Sequence, residues 1–258
     1  MESATPSPSG RRERQRAATT AEIKDTARAL LTQTGPSGIS LRAIARTMGI
    51  SAAGLYRYFP SLEALLAELC ADFYRELAEY MQHECDALAD NDLTEKLRTA
   101  ARAFRRWAVT HRLEFTLMFA SIAPGAVLAG PGTTSSDLDP ESEPYRSMLA
   151  FSRVFGEIFN GAYHQSEAER GFALTPPTIP PLTPGLKAEI ERSSLAIGAH
   201  VPLEVGYVLH SFWIRLYGLV AMEVFGQLPL VDQGEALLEA EMAVMAGQLG
   251  VEVDRPQP

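Results

Sequence analysis

The chain has 258 residues, enough for one large domain or two smaller ones, and its 46% hydrophobic and 21% charged residues exclude a disordered polymer. The longest apolar runs are cut by charge, as Glu223 cuts YGLVAMEVFG, so no membrane span is expected. The net charge of −9 is uneven: residues 1–60 hold nine Lys/Arg against four Asp/Glu, a balance of +5, and the rest of the chain carries −14. A basic head on an acidic body is the asymmetry of a chain that meets phosphate at one end.

In chain order, residues 1–16, rich in Ser, Pro and Arg, read as an unfolded basic arm. MESATPSPSG lacks the apolar stretch of a secretion signal, and Cys70 and Cys85 lie too far apart on one helix to be bridged there; a reducing, cytoplasmic, nucleoid-associated location is expected. Helical periodicity dominates thereafter, and the predicted fold class is all-α. A first helix runs from about Thr20 with Ile23, Ala27, Leu30 and Leu31 on one face, ending before Gly35-Pro36. Ser40 caps a second helix that stops at Gly49, and Ser51 caps a third. Pro60-Ser61 opens a long fourth helix reaching about Ala89, and Asp92 with Glu95 forms a capping box for a fifth through Trp107. LEFTLMFA is a short sixth.

Two Gly/Pro-rich segments, 123–144 and 171–185, read as loops. Between them Tyr145 to Gln165 forms a helix with Met148, Phe151, Phe155 and Phe159 on one stripe. A weaker helix runs from Leu186 to about Gly198. An apolar helix starts at Pro202 and ends at Gly226, and a final one is capped by Asp232 and runs through Leu249. Residues 251–258 read as a disordered tail. The expected organisation is therefore an arm (1–16), a DNA-binding domain (17–62) and a helical ligand-binding and dimerisation domain (63–250).

The stretch SGISLRAIARTMGISAAGLYRYFP has the layout of a helix-turn-helix. Two short helices crossing steeply need a small residue at their contact, a glycine in the turn and an apolar residue facing back. Ala45, Gly49 and Leu55 supply these, with Ile44, Ile50 and Phe59 in the core. Ala52, Ala53 and Gly54 let the second helix approach a major groove closely. Tyr56 and Tyr58 are expected to be phosphate ligands without charge, and Arg42 and Arg57 to reach phosphate or base edges. Packing of a tyrosine against the fourth helix is the alternative for either ring.

ISLRAIARTMGISAAGLYRYFPSLEALL resembles the N-terminal domain of the TetR family of bacterial transcriptional regulators, over about Ala17 to Leu69. The resemblance implies an all-helical homodimer on a palindromic operator, usually repressing until a small molecule enters its second domain. It assigns DNA contact to Arg42, Ser51, Ala52, Ala53, Gly54, Tyr56, Arg57 and Tyr58. One departure is Leu62, where the family often has a lysine that clamps phosphate, so the arm Arg11 to Arg16 is expected to carry part of the grip. FWIRLYGLVAMEVFGQLP is similar to the C-terminal region of a subgroup with a Trp, Gly-Leu-Val and Glu pattern, although Tyr217 stands where histidine is common.

In the body, Leu216, Val220 and Val224 on one helix and Leu238, Met242 and Met245 on the last form stripes expected at a four-helix dimer interface, with the intramolecular core as the alternative. Trp107, Phe115, Phe119, Phe151, Phe155, Phe159, Trp213 and Tyr217, with His210 as a polar anchor, are candidate effector ligands; packed core is again the alternative. So few charges there favour an apolar or aromatic effector. No cofactor or metal is expected: QHECD, with His83, Glu84 and Cys85, lacks the paired helical histidines of a zinc site, and no phosphate loop or nucleophile elbow occurs. The competing functions are a dimeric DNA-binding regulator without a small-molecule ligand, controlled by abundance or a protein partner, and, more remotely, an enzyme.

Overall fold

The computed structural model describes residues 8–89, 92–119, 141–165, 177–230 and 232–250. Among these the regular structure is helical, without a strand. The helices are α1 (Pro8–Thr34), α2 (Leu41–Met48), α3 (Ala52–Leu55), α4 (Leu62–Asp86), α5 (Leu93–Thr110), α6 (Arg112–Phe119), α7 (Glu143–His164), α8 (Pro184–Ala196), α9 (Leu203–Val224) and α10 (Gly234–Gln248). Most of the loop expected over 123–144, the first part of that over 171–185, residues 1–7 and the tail 251–258 lie outside the described residues.

Several ends follow the caps read from sequence. Ser61 Oγ accepts from Ala64 N–H at 3.2 Å to open α4, and Asp92 accepts from Glu95 N–H at 3.2 Å to open α5. Helix α8 starts two residues before the expected Leu186, because Thr183 accepts from Leu186 N–H at 3.3 Å and Pro184 sits in its first turn. Two more ends differ. Helix α1 begins at Pro8, so residues 8–16 are helical rather than unfolded. A proline at the first position followed by Arg, Glu, Gln and Ala favours the helix more strongly than the composition suggests. Asp232 is not a cap: its φ is 60°, and α10 starts after Gln233 without a side-chain cap.

The chain sorts into two compact units, Met1–Phe73 with Leu113–Tyr145, and Tyr74–Arg112 with Arg146–Pro258; α4 is one continuous helix contributing to both. In the first unit α2 packs against α1 and α3. Ile23, Ala27, Leu31, Leu41, Ile44, Leu55, Phe59, Leu65 and Leu69 are buried there. Lys24 pairs with Asp72 at 2.6 Å, and the Arg28 guanidinium lies 4.9 Å from the Phe73 ring and 3.8 Å from Glu114. Two of the nine N-terminal cations thus have acidic partners in their own unit. Arg11, Arg12, Arg14 and Arg16 are exposed.

In the second unit α9 packs against α5, α8 and α10. Helix α9 is long and apolar enough, by length and composition, to cross a membrane, although Arg215 and Glu223 interrupt it, the latter as read from the sequence. Its core face explains the composition: Val205, Val208, Leu209, Phe212, Leu216, Val220 and Val224 are buried within the unit. The same burial corrects the expected dimer stripe. Leu216, Val220, Val224, Leu238, Met242 and Met245 are all buried in a single chain, because α9 and α10 pack on each other and take these residues as core. The apolar side chains these helices leave exposed are others: Ile214 (68%), Val244 (47%) and Met222 (41%), with Phe225 just past the end of α9.

Arginines of α5 bind acidic side chains of α9 and α10. Arg105 holds Glu223 with Nε at 2.8 Å and a second nitrogen at 2.6 Å, and Arg102 holds Glu239 at 2.6 and 2.9 Å. Hydrogen bonding from Arg102 lowers the Glu239 pKa below the ordinary carboxylate value. Arg112 donates to the Val224 carbonyl at 2.7 Å, satisfying the C-terminal end of α9. Gly234 makes room at this junction, since a Cβ there would fall 2.4 Å from the Glu223 carboxylate.

Candidate functional site

The N-terminal unit carries a small surface whose parts are fixed by caps. Ser40 Oγ accepts from Ala43 N–H at 3.1 Å to start α2. Gly49, at φ 69°, ends α2 in the left-handed region, and Ile50 N–H reaches back to the Ala45 carbonyl at 3.0 Å. One residue later Ser51 Oγ accepts from Gly54 N–H at 3.1 Å to start α3. Regular α3 is only four residues, continued by turn bonds from Arg57, Tyr58 and Phe59 N–H groups to Gly54 and Leu55 carbonyls.

Beneath this turn Ile44, Ala45, Leu55 and Phe59 are buried as the pattern requires. Ile50 is not in that core: it is 37% exposed, and Ile39 and Leu41 are buried instead. Above it, Arg42, Ser51, Ala53, Tyr56 and Arg57 are exposed, and Ala52, Gly54 and Tyr58 are half-buried. Tyr56 is 51% exposed, more than a core ring would be. Tyr58 differs, for the Arg16 guanidinium of α1 sits 5.8 Å from its ring centroid. Helix α3, the turn that follows it and Arg42 of α2 thus offer solvent three small residues, two phenols and two guanidinium groups, with no acidic side chain between Ser37 and Pro60. Such a surface suits a polyanion whose backbone must come close.

The second unit contains a pocket of about 120 Å³. Helix α7 contributes Phe151, Ser152 and Phe155; α8 contributes Ser193, followed by Ile197; α9 contributes Leu209, His210 and Trp213. Gly156 brings α7 close to the end of α8, since a Cβ at that position would fall 2.1 Å from the Ile197 carbonyl oxygen. The Trp213 ring centre lies 5.4 Å from Phe104, 5.6 Å from Phe151, 5.9 Å from Phe155 and 6.1 Å from Tyr217.

Of the nine sequence-selected effector residues, Phe151, Phe155, His210 and Trp213 line this pocket. Tyr217 stacks behind Trp213, and burial raises its phenol pKa. Phe159 is core on the α7 stripe, and Trp107 stacks on His111 at 4.7 Å. Phe115 and Phe119 pair with each other at 4.7 Å in the N-terminal unit. Ser152, Ser193, Ile197 and Leu209 were not marked by the sequence pattern. Aromatic content flagged the stripe, whereas the flanking serines give no periodic signal. Among the described residues, no group of three or more His, Cys, Asp or Glu is placed to hold a metal ion.

Comparison with known proteins matches both halves of this arrangement. Residues 23–69 match the bacterial regulatory proteins of the tetR family, and residues 97–245 match the Tetracyclin repressor-like C-terminal domain. The HTH-type transcriptional regulator Rv1816 of Mycobacterium tuberculosis is 28% identical over 218 residues, covering 84% of this chain and 86% of that one. The crystal structure of the regulatory protein SCO4313 superposes with a TM-score of 0.64 at 26% identity, over 94% of this chain and 100% of that one. RolR, solved in complex with resorcinol, has the same fold, with a TM-score of 0.52 at 16% identity over 95% and 98% of the two chains.

Proposed function

The chain belongs to the TetR family of bacterial regulatory proteins and is a DNA-binding transcriptional regulator, not an enzyme; on that premise we propose that it binds a palindromic operator as a homodimer, represses, and is released by a small apolar or aromatic molecule. The observation that carries the DNA part is the capped turn: Ser40, Gly49 and Ser51 hold α2 and α3 so that the core residues point inward. Arg42, Ser51, Ala52, Ala53, Gly54, Tyr56, Arg57 and Tyr58 are then left accessible to a duplex. Residues 17–62 form the DNA-binding domain on this reading, and Arg11, Arg12, Arg14 and Arg16 add phosphate contacts from the helical start of α1.

Twofold pairing is supported by the exposed apolar side chains of α9 and α10, which a lone subunit would leave in water. Two recognition helices about 34–36 Å apart would then read successive half-sites. The aromatic pocket is the effector site, and α4 is the covalent route from the body to the DNA-binding helices. Release requires the effector to prefer the DNA-incompetent state.

The test is binding of the purified chain to double-stranded fragments of its own upstream region at several salt concentrations. Arg42→Ala is expected to weaken binding about tenfold and flatten the salt slope by about one, with helicity unchanged. Normal affinity in both Arg42→Ala and Tyr56→Phe overturns the contact set.

A further inference from the structure

Besides the indole of Trp213, whose N–H is a donor, the walls of the α7–α8–α9 pocket carry Ser152, Ser193 and His210, and each of these three has its hydrogen already committed. The His210 Nδ1 lies 2.9 Å from the Gly206 carbonyl oxygen. A carbonyl only accepts, so Nδ1 carries the hydrogen, and in the neutral ring Nε2 presents a lone pair. Ser152 donates its hydroxyl to the Met148 carbonyl at 3.1 Å. Ser193 donates to the Glu189 carboxylate at 3.3 Å. With the imidazole neutral, what these three groups have left for a guest is acceptor capacity.

Charge and size narrow the guest further. None of the pocket's lining side chains is a Lys, Arg, Asp or Glu, and the Glu189 carboxylate behind Ser193 is already paired with Arg192. A carboxylate or phosphate guest would meet lone pairs and lose its hydration with no lining cation to replace it. A volume of about 120 Å³ takes one six-membered ring, since a cavity of about 150 Å³ lined by apolar side chains is known to hold benzene. Phe151, Phe155 and Trp213 supply ring faces and edges for such a guest.

Resting on the reading of this pocket as the effector site, we propose that its guest is a neutral, single-ring aromatic compound bearing a hydrogen-bond donor, a phenol or an aniline, which donates to Nε2 of His210. Ethers and acyl chains are discriminated against because they leave the Nε2 lone pair unanswered, and carboxylates because no lining cation meets their charge.

The experiment titrates the full-length chain with phenol, anisole, toluene and benzoate, reading the emission of its two tryptophans, of which Trp213 lines the pocket. Phenol is expected to bind at least about fivefold more tightly than anisole or toluene, the worth of one neutral hydrogen bond, and benzoate not at all. His210→Phe should bring phenol down to the level of anisole while toluene binding persists. Equal affinity for phenol and anisole, or preference for benzoate, overturns the donor rule and leaves the effector site standing. Binding by none of the four compounds removes the effector site and the donor rule together. The wild-type selectivity series does not depend on the variant folding.

Discussion

Glu223 is the acid that interrupts the most apolar part of the sequence, and its removal tests why it is there. Its carboxylate receives two charge-assisted bonds from Arg105, at 2.8 and 2.6 Å, and the two side chains are only 18% and 17% exposed. One such bond contributes about 1.5–3 kcal/mol net. Glu223→Ala removes both and leaves Arg105 with only Glu235 at 3.8 Å, a group 76% exposed, so little is recovered among the described residues. The expected loss is about 3 kcal/mol, which for a chain of this size lowers Tm by about 6–12 °C. Circular dichroism melts of wild type, Glu223→Ala, Arg105→Ala and the double variant form a cycle whose coupling should exceed about 1.5 kcal/mol. A coupling below about 0.5 kcal/mol would mean that the pair behaves as a surface ion pair, and that the α5–α9 junction is held by apolar packing alone.

Three further outcomes are expected. Leu216→Ala should cost about 2–5 kcal/mol without changing subunit number, whereas Ile214→Glu should leave the fold intact and yield monomers with weak operator affinity in sedimentation and DNA-binding assays; a dimeric Ile214→Glu would move the interface elsewhere. Gly156→Ala should destabilise by about 1–3 kcal/mol and weaken phenol binding, because the added Cβ must push the Ile197 carbonyl away from α7; unchanged melting would contradict the close approach. Because Arg102 holds the Glu239 pKa low, the stability from that pair is present above the ordinary carboxylate pKa and lost as pH falls through the lowered one. Wild type and Glu239→Gln should therefore differ at neutral pH and converge in acid, and a gap that persists in acid would exclude the ion pair as its source.

Local features were legible because they depend on neighbours in the chain. Ser40, Ser51 and Asp92 cap helices by bonding an N–H three residues on, and Gly49 ends α2 because its left-handed backbone excludes most side chains. The helical start of α1 was missed because Pro and Ser in the first residues weighed more in composition than the Arg, Glu and Ala that follow.

Periodicity marks an apolar stripe but not what covers it. Leu216 and Ile214 are both apolar residues of α9, yet the fold buries the first and leaves the second 68% exposed. The sequence alone determined that the fold is helical, the caps at Ser40, Ser51 and Asp92, and the turn of the DNA-binding element. Which aromatics surround a pocket, and which helix face remains for a partner, was decided only when α7, α8, α9 and α10 packed together, since burial and hydrogen-bond direction depend on residues far apart in the chain.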